Sequence, residues 1–191
     1  MIIGIHGFKQ SGKDTLADLL VKDFGFEKIA FADKLKNALN VIFNVPSEDL
    51  WGSDNDKQKL TTVEWDSLKG LTKKDRFNEK YLNIRELMQI FATEVCRSHI
   101  PGIWYEFLKI EEGKNVVISD LRFENEALFL RSKNAYLVKV KRNDISSSDH
   151  LSEKGIDDKF MDKIFHNNKT LEEFLDNSKK DLEAWFELMQ K

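Results

Sequence analysis

A single cysteine, Cys96, excludes an intrachain disulfide framework and a cysteine-rich zinc site. The four histidines, His6, His99, His150 and His166, show no metal-ligand spacing. No apolar run approaches the roughly 20 residues that span a bilayer. Met1 to Ile5 is apolar but far too short for a signal peptide. Charge of one sign is lacking as well. The 30 Lys and Arg against 33 Asp and Glu leave a net charge of -3, so no global basic field exists to hold nucleic acid. A local Arg and Lys cluster around a phosphate stays open. There are no internal repeats. The expected setting is a reducing cytoplasm, with neither membrane nor nucleic acid as partner.

What is present is enough for a packed core. Hydrophobic residues make up 41% of the 191, with 14 Phe among them, which suits one α/β domain over residues 1–191. Ile2, Ile3 and Ile5 form a β-branched run ended by Gly7, read as a buried strand. Leu16, Leu19, Leu20 and Phe24 fall at helical spacing before Gly25. Lys28 to Phe31 reads as a second strand. Asp33 opens a helix with the stripe Leu35, Leu39, Ile42 and Phe43, closed before Pro46. From about 47 to 82 the chain turns polar, with Trp51 and Trp65 as isolated anchors, and reads as an insertion or cap.

Helical spacing returns over Ile84 to Arg97, with Leu87, Met88, Phe91 and Val95 on one face, and a further helix is expected over Ile103 to Ile110. Val116-Val117-Ile118 reads as a buried parallel strand leading to Ser119-Asp120. Phe123 to Arg131 is expected to be helical, Ala135 to Val140 and Lys163 to Phe165 to be strands, and 143–155 a Ser/Asp-rich loop. Thr170 and Glu173 form a capping box for a terminal helix bearing Leu171, Phe174, Leu175, Leu182, Trp185 and Leu188. Strands alternating with helices imply a largely parallel sheet covered on both faces.

The most informative stretch is Gly7-Phe8-Lys9-Gln10-Ser11-Gly12-Lys13-Asp14-Thr15. It has the G-x-x-x-x-G-K spacing of a phosphate loop, after a strand and before a helix. Gly7 and Gly12 permit backbone angles that turn successive N–H groups inward. The helix that follows aims its positive end at an anion, and Lys13 can bridge the β- and γ-phosphates of ATP as a point charge. Asp14 stands where Ser or Thr usually binds Mg²⁺, and Thr15 follows; a carboxylate can serve that ion directly or through water. The bland alternative is a Gly-rich turn that only caps a helix.

Asp120-Leu121-Arg122 sits at the C-terminal end of the Val116–Ile118 strand, where open α/β sheets bind ligands. Asp120 suits an acid that orders Mg²⁺ and its waters, and Arg122 suits a phosphate clamp. The alternative is a helix-capping Asp beside a solvated Arg. Asp33-Lys34, Arg85 and Arg97 are further candidates for contacting substrate, against the simpler reading of a helix N-cap and surface charges.

With these residues assembled, the chain resembles the deoxynucleoside monophosphate kinases best known from bacteriophages. Ser11-Gly12-Lys13-Asp14-Thr15 is similar to that family's form of the loop, Asp included. Arg85-Glu86-Leu87-Met88-Gln89 with Ala92-Thr93-Glu94 resembles its R-x-L-[LM]-Q…G-T-[DE] helix, with Ala92 in place of Gly. Trp104, Asp120-x-Arg122…Glu126 and His150-x-Ser152-Glu153 resemble its later motifs. The resemblance covers nearly the whole chain and is weakest over about 47–82, where Lys57 and Lys59 are the candidates for substrate contact.

The resemblance implies a three-layer P-loop fold with a five-stranded parallel sheet in order 2-3-1-4-5, and phosphoryl transfer from Mg·ATP to deoxynucleoside monophosphates. It implies that Lys9, Gln10, Gly12, Lys13, Asp14 and Thr15 lie at the phosphates, and that Arg85, Thr93, Trp104, Asp120, Arg122 and Glu126 line the monophosphate side. Lys13, Arg85 and Arg122 are then the catalytic candidates, and Asp14 and Asp120 the Mg²⁺ ligands. The stretches 47–82 and 143–155 are the lid candidates, and the partners are small nucleotides, with a homodimer left open. Competing readings are a dephospho-coenzyme A kinase-like enzyme, a nucleotide-dependent switch or ATPase, and a P-loop fold kept only as a structural subunit.

Overall fold

Ile3 and Ile5 of β1 (Ile2–His6) are fully buried, and this strand is the centre of a parallel sheet. The structure, a computed structural model, describes residues 1–71, 80–143 and 155–189. The chain forms two compact units, residues 1–30 with 109–191, and residues 31–108.

In the first unit β1 lies between β5 (Val116–Leu121) and β6 (Tyr136–Lys141). β2 (Glu27–Ile29) flanks β5 and β7 (Lys163–His166) flanks β6, every pairing parallel. Along the whole chain the order is β2-β5-β1-β6-β7. Two strands of the second unit intervene in the numbering; counted within this sheet alone, the order is the expected 2-3-1-4-5. Val116, Val117 and Ile118 are all buried, as an apolar run in a sheet covered on both faces must be.

On one face Ile3, Ile5, Val117, Val138 and Phe165 pack with Leu16 and Leu20 of α1 (Lys13–Phe24) and with Phe174 and Leu182 of α6 (Leu171–Met189). On the other, Leu130 of α5 (Glu124–Ser132) descends onto Gly4. A Cβ on Gly4 would stand 2.7 Å from Leu130 Cδ1 and 3.0 Å from Leu137 Cδ2, so the residue is small because a helix packs there. Gly4→Val should overpack this contact and lower unfolding stability by about 1–3 kcal/mol. A urea midpoint equal to that of the unsubstituted protein would contradict this packing.

Helix ends follow the sequence signals. α1 stops at Gly25, whose φ of 70° and N–H bond to the Leu20 carbonyl close the last turn. The expected capping box of α6 is present, with Glu173 N–H donating to Thr170 Oγ1 (3.2 Å) and Thr170 N–H to Glu173 Oε2 (3.3 Å). Further along α6, Trp185 and Phe186 close an aromatic group with Phe24, Phe26 and Tyr136. Leu171 and Leu188, at the two ends of the helix, lie outside the buried stripe.

The second unit holds α2 (Ala32–Phe43), the short α3 (Ser47–Leu50), and an antiparallel pair, β3 (Leu60–Glu64) and β4 (Tyr81–Asn83). α4 (Ile84–Gln89) follows, capped by a reciprocal pair in which Glu86 N–H donates to Asn83 Oδ1 (2.9 Å) and Asn83 N–H to Glu86 Oε2 (3.0 Å). Leu35, Leu39, Leu50, Leu82, Ile84, Leu87 and Ile90 are buried within it.

Four local expectations are corrected. The α2 stripe runs through Leu35, Leu39 and Phe43, spaced four apart, and Phe43 meets Phe91 edge-on at 5.4 Å. Ile42, one position off that line, is 56% exposed. The helix expected over Ile84 to Arg97 is α-helical only to Gln89; Ile90–Arg97 is a π-helix, whose wider turn suits the same apolar spacing. No helix forms over Ile103 to Ile110. Successive tight turns run there instead, with Ile103 N–H on the Ile100 carbonyl and Tyr105 N–H on that of Gly102; Trp104 is buried and Phe107 exposed. In the polar stretch Trp65 is the buried anchor expected, whereas Trp51 is exposed, its indole donating to Asp33 (3.3 Å) beneath the Lys36 ammonium.

Candidate functional site

The loop between β1 and α1 is built from two left-handed residues and one packed polar one. Gln10 has φ 63° and Gly12 φ 98°, the alternation that turns consecutive N–H groups toward one concavity. Ser11 N–H closes a turn on the Phe8 carbonyl (3.1 Å), and Leu16 N–H begins the helix on the carbonyl of Gly12 (3.0 Å). A Cβ on Gly7 would lie 2.4 Å from Ser11 Oγ and 3.1 Å from the Val140 carbonyl oxygen, so a side chain there would crowd the loop. The Ser11 hydroxyl is buried and has no hydrogen-bond partner among the described residues.

Lys13 opens α1 with its side chain 13% exposed, its ammonium 3.4 Å from Asp14. The Asp14 carboxylate is mostly exposed and also faces Lys28 at 3.6 Å. Exposed pairs of this kind are worth about 0–1 kcal/mol, little enough for a polyphosphate to displace. Lys9 and Gln10 are exposed on the loop, and Thr15 is half-buried in the first turn of α1.

His6 ties this loop to its surroundings. Its Nε2 accepts the Ile156 N–H (3.2 Å), which leaves Nδ1–H to donate to the Leu121 carbonyl (2.9 Å). The ring is buried and neutral in this arrangement, and it stands edge-on to Phe8 at 6.0 Å. In the sequence the one signal for this role is a polar residue closing an otherwise apolar strand.

Because β1 and β5 are parallel neighbours, the phosphate loop after His6 and Arg122 after Leu121 leave the sheet at the same edge. The register carries an irregularity here. Gly4 pairs with Ile118 and His6 with Leu121, so β5 spends one more residue than β1. A bulge of this kind re-aims side chains next to it, and the extra residue falls at Ser119-Asp120. Ser119 is buried, while Asp120 and Arg122 are half-buried. Glu126 is 2% exposed, and its Oε2 accepts the N–H groups of Arg122 (2.9 Å) and Phe123 (3.1 Å). The side chain expected to line a substrate thus also fixes the main chain that carries Arg122.

In the second unit Arg85 pairs with Asp54, and its Nε is buried without a hydrogen-bond partner among the described residues. Thr93 and Arg97 lie half-buried in the π-helix. Trp104 is buried, and its indole donates to the Ala92 carbonyl (3.1 Å). Asp33 is half-buried in the first turn of α2, and Lys34 is exposed. Lys57 donates to the carbonyls of Gly52 (2.5 Å) and Ser53 (3.4 Å); burial pushes its amine below the usual lysine range, with Lys36 and Arg85 adding repulsion. Lys59 is held charged by hydrogen bonds to Asp49 and Asp56. Burial pushes the Cys96 thiol up, which suits a packed residue rather than a nucleophile. The His150-x-Ser152-Glu153 motif and most of 143–155 lie outside the described residues, as do 72–79 of the polar stretch.

Among the described residues no group of three or more His, Cys, Asp or Glu could hold a metal by itself. Asp14, Thr15 and Asp120 are hard oxygen donors of the kind Mg²⁺ uses when substrate phosphates supply the rest of its shell. No described helix is long and apolar enough to cross a membrane.

Comparison with known proteins bears on the family of the chain. The family described as deoxynucleotide monophosphate kinase matches residues 1–76 and 48–178. A protein of Acanthamoeba polyphaga mimivirus named "Putative deoxynucleotide monophosphate kinase" is 33% identical, the match covering 91% of this chain and 92% of that protein. The deoxynucleoside-5'-monophosphate kinase of Escherichia phage T5 is 27% identical over 84% of this chain and 87% of its own. Among solved structures, the dephospho-CoA kinase from Campylobacter jejuni is 13% identical over 95% of each chain, with a TM-score of 0.48, a likeness too weak to bear on function.

Proposed function

The chain belongs to the deoxynucleotide monophosphate kinase family, and from that premise we propose that it moves the γ-phosphoryl group of ATP onto a deoxynucleoside monophosphate, giving ADP and a deoxynucleoside diphosphate. The observation that carries this reading is the shared sheet edge: a phosphate loop with its lysine beside a strand that ends in Asp120 and Arg122.

Such a transfer asks little covalent work of the protein. The pocket has to align an acceptor oxygen with the γ-phosphorus and neutralise charge spread over the equatorial oxygens. The acceptor's own phosphate is already largely anionic near neutral pH, so no general base is required. In this reading Lys9, Gln10, Ser11, Gly12, Lys13, Asp14 and Thr15 hold the donor triphosphate. The loop N–H groups take its oxygens, and Lys13 bridges the β and γ groups. Arg122 clamps phosphate with its planar fork, and Glu126 keeps the Arg122 backbone in place.

Asp33, Lys34, Arg85, Thr93, Arg97, Trp104 and Asp120 are assigned to the acceptor on the strength of the family resemblance. The whole chain is read as one kinase domain, with the 47–82 stretch as its insertion. Asp14 and Asp120 would hold Mg²⁺, directly or through water; bound there with the nucleotide, the ion would neutralise charge on the β- and γ-oxygens. The cytoplasm is the proposed compartment, that of the host if the gene is a phage's.

The test is an acceptor screen. The protein is incubated with ATP and each of dAMP, dCMP, dGMP, dTMP and the ribonucleoside counterparts, and diphosphate products are separated chromatographically. A diphosphate from at least one deoxynucleotide is expected; none from any of them would overturn the assignment.

A further inference from the structure

Asn167 follows β7 directly and belongs to no motif of the sequence. Its own N–H continues the sheet register on the Lys141 carbonyl (2.8 Å). Its side-chain amide reaches back across 156 residues and donates through Nδ2 to the Ser11 carbonyl (2.9 Å). The same amide crowds Gly12, where an added Cβ would lie 2.4 Å from Asn167 Nδ2. Gly12 is therefore glycine for two separate reasons, its φ of 98° and this close approach. Asn168, next in the chain, accepts the Asn143 N–H (2.9 Å) through Oδ1, so the end of β7 is held on two sides.

A peptide unit is planar, with its C=O and N–H pointing in opposite directions. Once Asn167 takes the Ser11 carbonyl, the Gly12 N–H of that same unit has to point away from Asn167. We propose that Asn167 is a positioning residue for phosphoryl transfer: by pinning the Ser11 carbonyl it fixes the Ser11–Gly12 peptide with the Gly12 N–H turned to the donor phosphates. Without that bond the peptide is able to flip, offering a carbonyl oxygen where a phosphate oxygen must sit. The inference rests on the loop being the ATP site and adds a residue outside the loop that sets its geometry. Ser11, whose buried hydroxyl makes no bond of its own among the described residues, offers the main chain no substitute anchor.

The test is a calorimetric titration of Mg·ATP, with steady-state kinetics, on the unsubstituted protein, Asn167→Ala and Asn167→Asp. Asn167→Ala removes the donor. Asn167→Asp keeps the shape but turns the donor into an acceptor facing the Ser11 carbonyl. ATP affinity is expected to fall about tenfold for Asn167→Ala and further for Asn167→Asp. KM for ATP should rise in step, while KM for the deoxynucleotide acceptor stays within twofold and the thermal midpoint shows both variants folded. ATP binding within twofold of the unsubstituted protein in both variants would overturn the inference and leave the kinase reading intact. An equal loss for ATP and acceptor would mark Asn167 as a general scaffold residue and overturn it too. Failure of the unsubstituted protein to bind ATP would instead remove the functional reading on which it rests.

Discussion

Lys13→Ala should lower kcat/KM for ATP on the order of 10²–10³-fold, the scale of losing one preorganised charge donor from a phosphoryl-transfer site. The position makes the result interpretable. Among the described residues the ammonium's ion pair is the 3.4 Å contact with exposed Asp14, so truncation leaves no buried carboxylate there without a partner. Helix α1 is anchored by Leu16, Leu19 and Leu20 on the sheet, and the thermal midpoint should move by no more than a few degrees. Lys13→Arg should recover little. A guanidinium keeps the charge but carries a fork suited to bidentate pairing in place of a compact point charge. Kinetics of the two variants, with melting curves as the fold control, check the prediction.

Arg122→Ala is expected to cost a similar factor, on the order of 10²–10³ in kcat/KM, with the loss in kcat if the arginine meets charge that develops only during transfer. Here the control lies in the main chain. Glu126 holds the Arg122 backbone N–H, a bond that truncating the side chain does not remove, so the strand end should survive the substitution. Arg122→Lys should restore only part of the activity, because one ammonium cannot grip two oxygens in a plane. Turnover near that of the unsubstituted protein in Arg122→Ala would remove the arginine from the mechanism. Glu126 is a harder target, since its loss leaves two half-buried backbone N–H donors without their acceptor, a cost of up to about 1–3 kcal/mol each, and confuses folding with function.

The parts legible in the sequence were those whose physics is local or periodic. A β-branched run, G-x-x-x-x-G-K and a helical stripe in succession place β1, the loop and α1 without coordinates, and the apolar run ending in Ser119-Asp120 places β5. The missed parts depend on what chain segments do to each other. The extra residue of β5 is invisible until Gly4 and His6 have partners to be out of step with. The role of Gly4 belongs to Leu130, 126 residues away. The π-helix over Ile90–Arg97 has no signal of its own, because Leu87, Phe91 and Val95, spaced by four, fit either helix. Ala92 stands where the resembled family has Gly; here its carbonyl takes the Trp104 indole. His6 and Asn167 escaped for the same reason, each acting through a partner more than 100 residues distant.

The account stands on a donor triphosphate held at one sheet edge and surrendered only to a phosphate acceptor. The most direct measurement is the stoichiometry of ADP and deoxynucleoside diphosphate, followed in one reaction with and without the accepted deoxynucleotide. The account predicts one diphosphate per ADP when the acceptor is present and almost no ADP when it is absent. ADP released at the same rate in both, with no diphosphate formed, would show a nucleotide hydrolase or switch and contradict it.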